Sequence, residues 1–240
     1  MVMGIPILQG YGLTETSPVV SVNPLENNDP ASVGVPLRGV EVRTGDDDEL
    51  LVRGPGVMLG YWNNHAATAK MIDSDGWLHT GDQARIENNH IYITGRIKDI
   101  LVLSNGEKVP PGDMELAIAL DPLVSQVMVL GEGRPYLSAL VVLEADHWPA
   151  LAQDCGLDPL ARDSLRHPRV VAAVMQRIKT MLKQFPGYAK VRRVTLQLEP
   201  WTVENGLLTP TLKVKRAQVL KRNYQAINAM YQEGPTQGKR

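Results

Sequence analysis

The sequence predicts an α+β fold in two parts, the first rich in strands and the second mixed. Up to residue 103, short apolar runs alternate with turns rich in glycine and aspartate, a pattern typical of strands. Beyond Pro110, apolar residues recur at helical spacing in several segments, of which residues 168–185 are the clearest. The length of 240 residues allows one or two domains, and the 43% hydrophobic fraction excludes a disordered chain.

Short strands and one helix are predicted for the first part. The apolar run at residues 5–8 stops at glycines, which predicts a strand buried on both faces. Residues 63–71 have helical composition, with Asn63 or Asn64 as the cap. Residues 44–48 predict a hairpin turn, and we interpret the acidic cluster on it as a solvated loop instead of a metal site. That cluster consists of Asp46, Asp47, Asp48 and Glu49. Further strands are predicted at residues 34–37, 40–43, 49–53, 91–94 and 100–103.

Helices and strands of the second part are predicted to form one compact unit. Strands are expected at residues 124–130, 136–143 and 191–198, and helices at 110–120 and 147–154. The helix that starts at Pro168 is predicted to bury Val170, Val171, Val174, Ile178, Leu182 and Phe185. A final continuous helix over residues 216–232 is predicted to bury Val219, Leu220, Ile227 and Met230.

The net charge of −1 conceals a strong asymmetry along the chain. Residues 1–159 carry 22 acidic and 9 basic side chains, and residues 160–240 carry 4 acidic and 16 basic ones. Such an imbalance fits two docked halves or a polyanionic ligand, so nucleic acid, an anionic membrane and a phosphate-rich cofactor all stay open at this point. Cys155 is the single cysteine, which excludes an internal disulfide and favours a reducing compartment.

Three clusters of residues carry chemistry, and each also has an ordinary structural explanation. The first is Tyr11-Gly12-Leu13-Thr14-Glu15, in which a hydroxyl and a carboxylate can reach phosphate oxygens and a hard cation. The second is Gly76-Trp77-Leu78-His79-Thr80-Gly81-Asp82, where the aspartate suits two adjacent hydroxyls. We interpret His79 as structural because no acid or nucleophile partner is visible. The third is Gly95-Arg96-Ile97-Lys98-Asp99, which continues to Gly106 and is matched by a late basic loop around Lys213.

The order and spacing of these motifs resemble the adenylate-forming acyl-CoA synthetase superfamily, the AMP-dependent synthetases and ligases. The ending Leu208-Thr209-Pro210-Thr211-Leu212-Lys213-Val214-Lys215-Arg216 looks most like long-chain fatty-acid–CoA ligases, although many members have glycine in place of Leu212. The resemblance implies that residues 1–97 are the β-rich, barrel-like end of a large AMP-binding domain. Residues 98–240 would form the small, mobile α+β C-terminal domain.

The resemblance also implies a role for each matching residue. Tyr11 would stack on adenine beside Gly12, and Asp82 would bind the ribose hydroxyls close to Arg96. Thr14 would contact the phosphate, and Glu15 would hold Mg²⁺. Lys98 would be the hinge of the mobile domain, Gly106 would line the pantetheine tunnel, and Lys213 would assist adenylation. In this family ATP and a carboxylate give an acyl-adenylate and pyrophosphate, and the thiol of CoA then displaces AMP.

One family motif is missing from the sequence. No Ser/Thr/Gly-rich loop ending in lysine, which binds the triphosphate in the family, occurs in the 240 residues. We therefore expect a C-terminal fragment with little or no ligase activity of its own. The expected ligands in the parent enzyme are ATP or AMP, CoA, Mg²⁺ and a fatty acid.

Two alternatives remain at this stage: a non-catalytic nucleotide- or CoA-binding module, and a ligase that transfers the acyl group to a carrier protein. Nucleic acid is not expected as a partner, because the chain has neither zinc-ligand spacing nor runs of aromatic residues. We expect a cytoplasmic location with peripheral contact at the inner membrane face, and the oligomeric state is left open.

Overall fold

A computed structural model describes residues 6–161, 163–187 and 189–232. The chain forms two compact units, the first ending at Asp99 and the second starting at Ile100. Strands and helices are mixed, as the sequence predicts. Within the described residues, no helix is long and apolar enough to cross a membrane.

Two antiparallel sheets build the first unit. One has the order β1-β2-β3 and the other the order β4-β5-β6-β7. Backbone hydrogen bonds tie the two sheets together, since Val33 N donates to Ile91 O at 2.8 Å and Ile91 N donates to Gly34 O at 2.9 Å. The strands are β1 Gly10–Gly12, β2 Val19–Val22, β3 Val35–Pro36, β4 Glu41–Thr44, β5 Glu49–Arg53, β6 Leu78–Glu87 and β7 His90–Arg96.

The small core of this unit lies between the sheets. It contains the buried side chains of Val20, Leu50, Val52, Ala84 and Ile91. The predicted hairpin is present, because β4 and β5 pair around a turn with exposed Asp46, Asp47 and Asp48. No group of three or more metal-ligating side chains occurs in the part of the chain that the structure describes. The side chains of the acidic turn are exposed.

The opening strand is a prediction that the structure corrects. Residues 6–8 form no strand, and the Ile7 side chain is 86% exposed, while Ile5 lies outside the described residues. The first strand is instead Gly10–Gly12, which pairs with β2. An apolar run forms a buried strand only where other elements cover it, and none of the described elements does so here.

One helix, α1 His65–Met71, belongs to the first unit. The side chain of Asn64 caps it by accepting a hydrogen bond from Ala67 N at 3.1 Å, as the sequence suggests. The turn after this helix leads to buried Trp77, whose ring is contacted by the guanidinium groups of Arg43 and Arg53 at 4.4 and 4.6 Å from the ring centroid. These cation–π contacts fix the start of β6.

A three-stranded sheet with helices on both faces forms the second unit. Its order is β10-β11-β12, in which the first pair is antiparallel and the second parallel. The strands are β10 Val124–Leu130, β11 Leu137–Leu143 and β12 Val191–Gln197, and a separate two-stranded hairpin consists of β8 Leu101–Val102 and β9 Lys108–Val109. The helices are α2 Pro111–Ala119, α3 Trp148–Asp154, α4 Pro168–Met181, α5 Arg216–Arg222 and α6 Tyr224–Gln232.

Alternate residues of the central sheet pack into two different cores. Val127, Val129 and Val141 face the core that also contains Val170 and Ile178 of α4. Met128 and Leu140 face a second core with Val219 and Ile227 of the last two helices. Every residue of β11 is buried, because a strand covered on both faces has no solvent-facing side.

The final helix differs from its prediction in two ways. It is divided at Asn223 into α5 and α6, and Leu220 is 41% exposed instead of buried. Asn223 is itself buried and donates from Nδ2 to Val219 O at 2.9 Å, while Gln197 Nε2 donates to its Oδ1. A buried asparagine that satisfies its amide through neighbouring groups competes with regular helix bonding, which accounts for the break.

Candidate nucleotide-binding site

A buried carboxylate connects three strands of the first unit. Asp82 lies on β6, is 4% exposed, and accepts a hydrogen bond from Tyr11 of β1 at 2.6 Å, phenol oxygen to Oδ2. Its other oxygen, Oδ1, accepts from Arg96 Nε at 2.7 Å. Asp82 and Arg96 are directly paired across β6 and β7. The structure thus brings together three of the residues that the resemblance assigns to AMP.

The conformation of residues 79–82 depends on local hydrogen bonds. Thr80 Oγ1 donates to Leu50 O at 2.7 Å and accepts from Asp82 N at 3.1 Å. Gly81 has a φ of +70°, in the left-handed region that favours glycine. These contacts turn Thr80 and Asp82 into the protein interior on the same side of the strand.

His79 has an acidic partner that sequence reasoning did not find. Its Nδ1 lies 2.7 Å from Glu49 Oε2, and the other oxygen of Glu49 accepts from Gly81 N at 2.8 Å. Glu49 lies 30 residues earlier, and only the pairing of β5 with β6 brings the two side chains together. Through Glu49, the contact connects His79 with the backbone of the Thr80-Gly81-Asp82 turn, and the absence of an acidic partner, on which the interpretation of His79 as structural was based, is contradicted.

Electrostatics favour a neutral Tyr11 and a charged Arg96. Burial, with the hydrogen bond to Asp82 as the second cause, raises the pKa of the Tyr11 phenol far above its usual value. The hydrogen bond to Asp82 also raises the pKa of the Arg96 guanidinium. A neutral donor and a cation therefore flank the carboxylate, an arrangement that can accept further hydrogen bonds from a polyol.

Gly12 is required by the protein's own backbone. A Cβ atom at this position would lie 1.7 Å from Pro18 O, where the chain folds back as β2. Its small size therefore has a structural cause, independent of any ligand.

Glu15 is in the short 3₁₀ turn Thr14–Thr16, directly after β1. Thr14 is exposed, and Glu15 is half-buried. Tyr61 donates a hydrogen bond from its phenol oxygen to Glu15 Oε1 at 2.8 Å. Sequence reasoning missed Tyr61, because a separation of 46 residues along the chain carries no pairing signal.

The residues present are compatible with Mg²⁺ only in combination with a ligand. Glu15 supplies one carboxylate, and proteins commonly bind Mg²⁺ through one or two carboxylates together with the phosphates of a nucleotide. No protein cage of three or more metal ligands occurs in the described parts of the chain. The donor set therefore fits a cation that arrives with phosphate groups.

Lys98 and Gly106 occupy exposed turns. Lys98 lies in the 3₁₀ turn Ile97–Asp99 at the end of the first unit. Gly106 belongs to the second unit, in the turn between β8 and β9, with a φ of +85°. A Cβ atom at Gly106 would meet no atom within 4 Å of the described protein, so the backbone angle accounts for glycine there.

Lys213 lies in a tight loop of the second unit. Thr209 N donates to Lys213 O at 2.8 Å, and Lys213 N donates to Thr209 Oγ1 at 3.0 Å. Between them, Leu212 has a φ of +60° and is 70% exposed. Many superfamily members have glycine at the position of Leu212, and the positive φ there is a backbone conformation that favours glycine.

Two family models match the chain. The model of the AMP-binding enzyme C-terminal domain matches residues 98–234, and the model of the AMP-binding enzyme matches residues 1–62. The chain therefore belongs to the AMP-binding enzyme family.

Individual relatives show which kinds of protein the chain is similar to. It is 34% identical over 235 residues to a long-chain-fatty-acid–CoA ligase, FadD15, of Mycobacterium bovis, and covers 38% of that protein. It is 31% identical to the chloroplastic long-chain-fatty-acid–[acyl-carrier-protein] ligase AEE15 of Arabidopsis thaliana, of which it covers 33%. These alignments include 95% of this chain, which thus spans less than half the length of the relatives.

A solved structure has the same fold. The A domain of a carboxylic acid reductase from Segniliparus rugosus, in complex with AMP and a co-purified carboxylic acid, aligns with a TM-score of 0.77 and 25% identity. The alignment covers 96% of this chain and 36% of that one. The α+β fold of this chain is thus similar to part of that adenylation domain.

Proposed function

We propose that the chain supplies the adenosine-binding face and the mobile C-terminal domain of a long-chain fatty-acid–CoA ligase. The reaction converts ATP, a fatty acid and CoA into acyl-CoA, AMP and pyrophosphate through an acyl-adenylate. The observation that carries the proposal is the contact of Tyr11 and Arg96 with buried Asp82. The similarity to FadD15 supports the choice of a long-chain acid.

Each residue of the first unit has a distinct task in this proposal. Asp82 accepts hydrogen bonds from the ribose hydroxyls, Arg96 donates to the same carboxylate, and Tyr11 offers its ring to adenine. Thr14 contacts the α-phosphate, and Glu15 holds a Mg²⁺ ion whose charge stabilises the phosphate groups. Positioning and charge stabilisation of this kind are the main sources of rate in acyl-adenylate chemistry.

Three residues carry the tasks of the mobile domain. Lys98 is the proposed hinge at the boundary between residues 1–97 and 98–240, and Gly106 borders the path of the pantetheine arm. Lys213 provides a positive charge during adenylation. The closed loop between Thr209 and Lys213 supports this role, since its hydrogen bonds fix the backbone of Lys213 while the residue stays exposed.

A binding experiment on the 240-residue chain tests the nucleotide site. We expect AMP to bind with micromolar affinity in isothermal titration calorimetry. Asp82→Asn should weaken AMP binding about tenfold or more, because charge-assisted hydrogen bonds to the ribose are worth about 1.5–3 kcal/mol. An unmodified chain that does not bind AMP refutes the proposed site.

Asp121→Asn is the matched control for this experiment. Asp121 is also buried and forms an ion pair with an arginine, since Arg177 Nη1 lies 3.0 Å from both of its oxygens, but it belongs to the second unit. We expect it to lower stability to a similar degree while AMP affinity stays unchanged. Equal losses of AMP affinity in both variants would mean that Asp82 acts through folding alone.

Turnover separates an enzyme part from a simple binding module. Because the 240 residues lack the triphosphate-binding loop, we expect the chain to bind nucleotide without ATP- and palmitate-dependent consumption of CoA. Robust turnover by this chain contradicts that expectation. A protein that joins this chain to the rest of a family member, including that loop, should be active, whereas continued inactivity would favour a non-catalytic module.

A carrier protein is the second candidate for the acyl acceptor. The similarity to AEE15, a ligase for acyl-carrier protein, favours it. A protein that combines this chain with the phosphate-binding loop can be supplied with ATP, Mg²⁺ and palmitate, and then with CoA or holo-acyl-carrier protein. Mass spectrometry of the thioester product shows which thiol is used.

The proposed location is the cytoplasm, with peripheral contact at the inner membrane face. Two exposed basic side chains, Lys179 on α4 and Lys183 in the turn after it, support contact with anionic lipid. Salt-sensitive co-sedimentation with phosphatidylglycerol vesicles is expected, and equal sedimentation with neutral vesicles would exclude electrostatic attachment.

A further inference from the structure

The turn that carries Glu15 is attached to a distant segment, residues 54–64, which we call the Tyr61 loop. Met58 N of this loop donates to Glu15 O at 2.8 Å, while the Tyr61 phenol donates to Glu15 Oε1 at the same distance. A Cβ atom on Gly56 would lie 2.7 Å from Thr16 O, so loop and turn are packed backbone against backbone. Both the main chain and the side chain of Glu15 are therefore held by the Tyr61 loop.

Tyr61 is itself fixed by the start of α1. Its backbone N donates to Thr68 Oγ1 at 2.9 Å, and the same hydroxyl donates to Asn64 O at 3.0 Å. A continuous set of hydrogen bonds thus connects the first turns of the helix with the carboxylate of Glu15.

The two oxygens of Glu15 differ in their environment. Oε1 accepts the Tyr61 hydrogen bond, whereas no residue in the described ranges donates to Oε2. A carboxylate with one oxygen held by a donor has less freedom to rotate. Mg²⁺ requires short oxygen contacts in near-octahedral geometry, so it gains from a ligand whose orientation is already set.

We propose that Tyr61 is the positioning residue of the Mg²⁺ site: by occupying Oε1, it leaves Oε2 of Glu15 as the oxygen that binds the cation. This inference rests on the proposed nucleotide site and adds a residue to it. Tyr61 contacts neither nucleotide nor metal in this role and acts through Glu15.

The linkage between Mg²⁺ and ATP tests the proposal without an activity assay. Calorimetry gives the ATP affinity of the chain in EDTA and at saturating Mg²⁺, and the ratio of the two affinities measures the coupling. We expect Mg²⁺ to strengthen ATP binding to the unmodified chain. Tyr61→Phe should lower the ratio about tenfold, as is usual for the loss of a group that orients a metal ligand. AMP affinity in EDTA should remain the same.

Tyr92→Phe is the matched control. The Tyr92 phenol donates to Asp29 Oδ2 at 2.7 Å, so this variant removes the same kind of hydrogen bond from the same unit. In Tyr92→Phe, the ratio of the ATP affinities with and without Mg²⁺ should equal that of the unmodified chain. Glu15→Gln should reduce the ratio to near one, and addition of Tyr61→Phe to that variant should change nothing more, because both substitutions act on the same ligand.

The outcomes separate this inference from the proposed function. Failure of AMP to bind in EDTA refutes the nucleotide site itself. Two results would refute only the role of Tyr61 while AMP still binds. In the first, Tyr61→Phe leaves the ratio of the ATP affinities with and without Mg²⁺ unchanged. In the second, Mg²⁺ does not change the ATP affinity of the unmodified chain. If Tyr61→Phe does not fold, Thr68→Val is the second variant, because it removes the acceptor that holds the Tyr61 backbone. It should also lower the ratio of the two ATP affinities. An unchanged ratio in this variant overturns the proposal.

Discussion

Asp82 shows at the scale of single residues how the site depends on buried hydrogen bonds. A buried carboxylate is costly unless its charge and lone pairs are satisfied, and here Tyr11 and Arg96 each occupy one oxygen. The three side chains come from three different strands. Each is therefore positioned by the sheets of the first unit, and the loss of any one leaves the others incompletely paired.

The raised pKa of Tyr11 predicts a dependence of stability on alkaline pH. The unfolded chain releases the Tyr11 proton near pH 10, whereas the folded chain retains it. The stability from this phenol is thus fully present below pH 10, and is lost at about 1.4 kcal/mol per unit as the pH rises toward the folded pKa. Tyr11→Phe should make the decline above pH 10 shallower by that amount, as measured by urea unfolding at several pH values.

Tyr224→Phe is the control for the alkaline measurement. The Tyr224 side chain is 67% exposed, and removal of its hydroxyl should leave the decline above pH 10 as steep as in the unmodified chain. A Tyr11→Phe variant with that same steep decline would show that the phenol of Tyr11 ionises in the folded state as readily as in the unfolded one.

At the scale of elements, the break between α5 and α6 illustrates how one polar side chain changes a helix. The apolar spacing from Val219 to Met230 would suit a single helix, and both of these residues are indeed buried. Asn223 lies between them, however, and is held by Gln197 of β12 and by Val219 O. The hydrogen bond at the break therefore connects the junction of α5 and α6 with β12, an edge strand of the sheet.

Asn223→Ala is predicted to lower the free energy of unfolding by about 2 kcal/mol. The substitution removes the hydrogen bonds of Asn223 with Gln197 and with Val219 O, and each such bond contributes about 0.5–1.5 kcal/mol. Urea unfolding followed by circular dichroism measures the loss. Gln218→Ala, on the exposed side of α5, is the control and should change stability by less than about 0.5 kcal/mol. Equal effects of the two substitutions would argue against the Asn223 contact.

For the whole molecule, the two units differ greatly in the size of their cores. The second unit buries side chains on both faces of its central sheet, and the buried residues of α2, α3 and α4 lie in the larger of its two cores. The first unit has a small core between its sheets. Since burial of apolar surface is the main stabilising contribution, most of the stability should reside in the second unit.

A fragment of residues 100–240 is therefore predicted to fold without the first unit. We expect a cooperative thermal transition in circular dichroism and well-dispersed amide signals in NMR, because both cores of the second unit consist of its own residues. The fragment of residues 1–99 is the comparison and should unfold at a lower temperature. A fragment of residues 100–240 with collapsed NMR dispersion would show that its cores are not sufficient.

Local patterns in the sequence predicted a large part of the fold. The hairpin around Asp46–Asp48, the Asn64 cap and the strands of the second unit follow from turn residues and apolar spacing between neighbours in the chain. The prediction of a buried strand at residues 5–8 was wrong because such a strand requires other elements to cover it. The prediction that Leu220 is buried was wrong for a related reason, since the spacing of apolar residues does not show the helix break at Asn223.

The sequence by itself determined the family, the order of the motifs and the identity of Tyr11, Asp82 and Arg96 as site candidates. Only the tertiary structure decided that these three side chains contact one another, that Glu49 supports His79, and that Tyr61 holds Glu15. The physical reason is that motif residues are recognised one at a time along the chain, whereas hydrogen-bond partners are chosen by strand pairing and loop packing across separations of 14 to 71 residues.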